Sequence, residues 1–307
     1  MTISHVNGAG VMPVTARMSL AAPALLIAVG ALLAGSVLLS KLAAGQGAPM
    51  LPYLSAVLTG AGGVLALFGA LTGQMRGAVR YLPYALGAGV FMALPSAMGY
   101  LTVAEVGAGF ISLTFAFPML LTWLISVLLR MERLRLLPVL GVLSGLSGGL
   151  ILALGKAGVA GAGAPVSATL TASLIPVVVA LGNIYRTRLW PRGAEALPLA
   201  ALTLIAGGFL SLPFALPTAL AQGAAFAAAL PVAILAALVV AGQMVLQFRL
   251  QALAGPVYMS QIGAVAAVMG TLIAVGAMGE GLPGGFVPAA LLIAAGAGAF
   301  QWARRHG

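Results

Sequence analysis

From residue 19 to residue 303 the chain alternates long apolar runs with short breaks marked by Arg, Gly or Pro. A helix needs about 20 predominantly apolar residues to cross a bilayer core of about 30 Å. Ten stretches meet that length: 19–40, 50–71, 81–103, 106–129, 136–156, 166–188, 198–217, 230–250, 256–278 and 284–303. Transmembrane strands would alternate polar and apolar residues over about ten positions, and a run such as Leu20 to Leu39 shows no alternation. The pattern predicts an all-α polytopic membrane protein.

Composition narrows the choice. Of 307 residues, 62% are hydrophobic and 6% charged, against roughly 25% charged residues in a soluble domain. Lipid is therefore the solvent for most of the chain, which excludes a soluble enzyme and a disulfide scaffold. The pI of about 11.2 does not indicate nucleic acid, because the 14 Lys and Arg are scattered between apolar runs and form no basic face. Cys and Asp are absent, the only acids are Glu105, Glu132, Glu195 and Glu280, and the two histidines are His5 and His306. No metal site and no cofactor are expected from such a set.

The basic residues also orient the spans, since cytoplasmic connections carry the excess of Lys and Arg. With ten spans and the N-terminus inside, 12 of the 14 fall on the cytoplasmic side, leaving Lys41 and Lys156 outside. Both termini are expected in the cytoplasm, as tails 1–18 and 304–307 of a protein of the bacterial inner membrane. A cleaved signal peptide is the alternative for the first run, with Arg17 before it and small residues after Lys41. That run is longer than a usual signal core, and cleavage would leave an odd number of spans.

A shift of 148 residues lays Gly107 on Gly255, Phe110 on Tyr258, Ser112 on Ser260, Leu124-Ile125 on Leu272-Ile273 and Glu132 on Glu280. Each half then holds five spans, so the second enters the membrane from the opposite side, as in many secondary transporters. Chance agreement among Ala-, Gly- and Leu-rich helices is the bland alternative; the matched Glu, one of four, argues against it.

The stretch from Ala104 to Leu154, with Ala108-Gly109, Phe115-Ala116-Phe117-Pro118, Met131-Glu132-Arg133-Leu134 and Gly148-Gly149, resembles the repeat unit of the EamA-type drug/metabolite transporters. Gly255-Pro256 and Gly279-Glu280-Gly281-Leu282 resemble it in the second half, and Lys41 stands where that family often carries a Lys. The second half has no Pro matching Pro118, and span two has no Arg. The resemblance implies two inverted five-helix repeats, 19–156 and 166–303, with eight helices around a cavity and the fifth and tenth at the periphery. It also implies carriage of small organic molecules by alternating access, with export the expected direction. An importer or a flippase of the same fold is the alternative.

Polar side chains at membrane depth face a cavity or another helix. Gln243, Gln247 and Gln251 lie four apart, on one helix face. Their amides donate and accept without net charge, which suits a path for neutral or zwitterionic solutes. Gln243 and Gln247, with Ser96 and Tyr100 in span three, Ser112 and Phe115 in span four, Asn183 in span six, and Tyr258 and Gln261 in span nine, make up the candidate substrate site, with Gln251 toward the membrane interface. Helix packing is the competing reading for each. Pro95 and Pro118 are candidate hinges. Gly141, Gly145 and Gly149, four apart, suit close helix packing.

The expected partners are thus a small-molecule substrate and the lipid bilayer. A membrane enzyme lacks its parts, apart from a conceivable Ser/Lys pair using Lys41. A channel would need a carbonyl filter or a charged ring, and neither is present in the sequence.

Overall fold

The computed structural model describes residues 21–114, 117–131, 136–156, 165–278 and 285–305. Among them lie ten α-helices: α1 (Ala21–Gly45), α2 (Met50–Leu71), α3 (Leu82–Thr114), α4 (Pro118–Leu128) and α5 (Leu136–Lys156), then α6 (Val166–Arg188), α7 (Ala196–Ala221), α8 (Gly223–Met259), α9 (Ile262–Met278) and α10 (Phe286–Arg305). A 3₁₀ turn, Ala78–Tyr81, leads into α3. Six segments are long and apolar enough to cross a membrane, and four shorter apolar helices accompany them. No strand occurs among the described residues. The chain is an all-helical polytopic membrane protein.

Helices α2, α5 and α6 have the bounds expected from the apolar runs. Others run longer, with α1 reaching Gly45, α7 reaching Ala221 and α8 starting at Gly223 rather than 230, and two internal breaks are displaced. The expected break near residue 104 is absent, because α3 continues to Thr114 and the chain breaks just before Pro118. Proline fits there: it occupies the first turn of α4, where its missing N–H would have no helical partner. The expected break before Pro256 is real but narrow. Gly255 alone leaves helical geometry (φ 75°, ψ −179°), and α8 resumes at Pro256 for one more turn to Met259. That φ is open to glycine and costly for other residues.

Helix packing follows a pattern that survives exchange of the halves. Helix α1 packs on α8 and α9, and α6 packs on α3 and α4; α2 meets α7 and α5 meets α10. The contacts themselves repeat. A Cβ at Gly148 would lie 2.6 Å from the Ala289 carbonyl oxygen, and one at Gly296 would lie 2.5 Å from that of Gly141. Gly296 follows Gly148 by 148 residues, and Ala289 follows Gly141 by the same 148. Between them the Ser144 hydroxyl donates to the Leu292 carbonyl at 2.8 Å, again 148 residues on. At the α2–α7 crossing a Cβ at Gly62 would lie 2.7 Å from the Ile205 nitrogen, and one at Gly208 would lie 2.8 Å from that of Thr59. There the shift is 146 residues. Close backbone approach at small residues is the usual adhesive between helices in lipid, where no hydrophobic force draws them together.

The largest buried cluster joins α2, α3, α7 and α8 through Tyr53, Val57, Leu204, Met244 and Phe248. A second joins α1 to the turn after Gly255 through Leu26, Val29, Val257, Tyr258 and Ile262.

Candidate functional site

Three helices bring polar side chains together between these clusters. Helix α4 supplies Thr122 and Ser126, four residues apart and fully buried. Helix α6 supplies Asn183, Arg186 and Thr187, which share a face because they lie three and four residues apart. Helix α8 supplies its glutamine stripe.

Asn183 is the hub. Its Nδ2 donates to Thr122 Oγ1 at 3.2 Å, and its Oδ1 accepts from an Arg186 Nη at 2.8 Å. Its backbone carbonyl accepts from Thr187 Oγ1 at 2.9 Å and from Gln251 Nε2 at 3.3 Å. Gln251 Nε2 also donates to Thr187 Oγ1 at 2.8 Å. A carbonyl oxygen can only accept, so the amide end of Gln251 that faces Asn183 must be its nitrogen. The other end, Oε1, is buried without a hydrogen-bond partner among the described residues, as are Arg186 Nε and Ser126 Oγ. Buried polar groups are nearly always paired, so this concentration of orphans between three helices marks the place. Tyr84 of α3 closes one side, donating to the Arg186 carbonyl at 3.3 Å. Its ring stacks on Tyr185 with centroids 5.7 Å apart.

The stripe on α8 is continuous. Gln243 Nε2 donates to Gln247 Oε1 at 3.4 Å, and Gln251 one turn on reaches α6. Gln243 and Gln251 are buried and Gln247 is half-buried.

The other expected site residues are placed as follows. Ser96 is half-buried on α3, one residue after the buried Pro95. Tyr100 and Ser112 belong to the helical backbone of α3, and their side chains lie outside the described residues, as does the whole of Phe115. Tyr258 and Gln261 lie beyond the Gly255 break. Tyr258 packs in the cluster on α1, and Gln261 is buried with its Nε2 unpaired among the described residues. The structure thus joins Asn183 to Gln251, leaves Gln243 and Gln247 bonded to each other further along α8, and sets Tyr258 and Gln261 in a second locality.

Sequence reasoning missed Thr122, Ser126, Arg186 and Thr187. The available signal was spacing: two hydroxyls four apart on α4, facing an Asn–Arg–Thr triplet on α6. Among the described residues no group of acids and histidines could hold a metal ion.

No family model matches the chain, and no curated protein matches it. Solved structures do. One, described as "Crystal structure of protein", matches 92% of this chain and 98% of its own, with a TM-score of 0.69 and 21% sequence identity. At that identity the likeness is one of fold alone.

Proposed function

We propose that the chain is a secondary transporter that exports small neutral or zwitterionic organic metabolites across the inner membrane by alternating access. In this reading all ten helices span, as two inverted five-helix repeats of EamA type, with both termini in the cytoplasm. The observation that carries it is the exchange-related pair of contacts at α5–α10, Gly148 on Ala289 and Gly296 on Gly141. Contacts that repeat when one half is exchanged for the other are what a pseudo-two-fold axis produces. Such an axis in the membrane plane is the ground plan of many carriers that rock around a central site.

The test is transport by purified protein in liposomes. A thermal-shift screen against metabolites finds a ligand, since binding to the folded state raises its melting temperature. Vesicles loaded with that ligand should then accumulate its labelled form by counterflow, with saturation. Flux that is linear in concentration and shows no counterflow would refute a carrier.

A further inference from the structure

Arg186 is the one described Lys or Arg that the fold buries; Arg188 and Arg192, close by in sequence, are exposed. A buried guanidinium normally has a carboxylate partner. Here the one acid with a described side chain, Glu195, is exposed, and no described carboxylate bonds to Arg186. A guanidinium offers five N–H donors. The single hydrogen bond it makes among the described residues runs to Asn183, three residues back on its own helix. Among the described residues the side chain therefore ties no second helix by a hydrogen bond, and its Nε is buried without a partner.

A second orphan of opposite kind stands beside it. Gln251 donates from Nε2 to the Asn183 carbonyl, which turns its Oε1 away as a buried acceptor without a partner among the described residues. Asn183 thus touches both a guanidinium with an unpaired buried N–H and an amide with an unpaired buried acceptor, as far as the described residues go. The guanidinium matches a carboxylate, which it can hold through two parallel hydrogen bonds. The acceptor matches an N–H donor. Helix packing alone leaves both unexplained, because each pays for burial without forming the bond it is built for.

We infer that the Arg186–Asn183–Gln251 cluster binds a small organic solute carrying a carboxylate beside an N–H donor, with the carboxylate on Arg186 and the donor on Gln251 Oε1. This deepens, and rests on, the carrier reading above, since it names the chemistry of the solute that the carrier would move.

Binding and transport separate the two claims. Binding to the purified full-length chain is measured for neutral L-amino acids, their amides, the matching amines and the matching plain carboxylic acids. The acids should outbind their amides by about tenfold or more, the range of a hydrogen bond to a charged group. Arg186→Gln should abolish that preference, and Arg186→Lys should keep part of it. Gln251→Leu should weaken the amino acids while leaving the plain carboxylic acids unchanged. Equal binding of acid and amide by the native chain overturns the inference without any variant, as does a panel in which no carboxylate binds. Equal competition by inorganic phosphate would mean a general oxyanion site and would overturn the paired assignment. Counterflow of a bound solute without acid preference would sink this site and keep the carrier. Acid preference in binding without counterflow would keep the site and sink the carrier.

Discussion

Asn183→Leu probes the hub at nearly constant volume. The backbone carbonyl survives the change, so the bonds from Thr187 and Gln251 remain. What goes is the side-chain amide. The neutral bond to Thr122 is worth about 0.6 kcal/mol, and at most about 1.7, by the measure of interhelical bonds in a membrane protein. The bond from Arg186 is to a charged group and is worth about 1.5–3 kcal/mol. The sum is about 2–5 kcal/mol of lost stability. The pairing can be isolated with Arg186→Leu, which alone strands the Asn183 oxygen. Removing both partners leaves two apolar groups, a change that can be nearly neutral. The double variant should therefore be more stable than Asn183→Leu alone, and the cycle should return a coupling of about 1.5–3 kcal/mol. Reversible unfolding in mixed micelles, followed by tryptophan fluorescence, measures all four corners. A native-like Asn183→Leu, or strictly additive losses, would show that the network contributes nothing.

Three further outcomes are expected. A cysteine placed at Gly47 should react with an impermeant maleimide on intact cells and one at Gly193 only after lysis; the reverse pattern would overturn the orientation. Gly148→Val should cost about 1–3 kcal/mol through overpacking, whereas Gly276→Val, where an added Cβ meets nothing within 4 Å, should leave the melting temperature nearly unchanged; equal losses would refute the close crossing of α5 and α10. Gln243→Leu should weaken a ligand from the thermal-shift screen by about 0.5–1.5 kcal/mol, and unchanged affinity and flux would mean that this part of the stripe only packs.

Apolar run length was enough to read most of the helices, because lipid imposes a minimum length and leaves few other folds open. Met50–Leu71, Leu136–Lys156 and Val166–Arg188 were legible for that reason. The two displaced boundaries were not, since the nearby Gly107 and Gly255 permit a break without requiring one. Of the cluster, Asn183 was legible as a polar group at membrane depth, and Gln251 only as the end of a stripe whose expected site members were Gln243 and Gln247. Arg186 was not. Two residues from the end of an apolar run, a basic residue ordinarily snorkels to the interface, and only the packing of α3, α4 and α8 around α6 turns it inward. The hydroxyls on α4 escaped for a similar reason, since Thr and Ser are common in membrane helices and become informative only with a partner in view.

The packing order has a consequence for how the chain is made. Each helix finds its main neighbour in the other half: α1 on α8 and α9, α2 on α7, α5 on α10. Gly30 of α1 seats against Val265 of α9, which the ribosome reaches 235 residues later. At about 5–20 residues per second that interval is roughly 12–50 s. Throughout it, the helices of the first half have their eventual contact faces uncovered, including the glycine faces of α2 and α5 and the hydroxyl of Ser55, which bonds the carbonyl of Gly208. Assembly is therefore late and concerted, and the nascent first half is the species most exposed to insertion chaperones and membrane proteases. A substitution that loosens α9 or α10 should act on that waiting intermediate, lowering yield from the cell more than it lowers the stability of protein that has already closed.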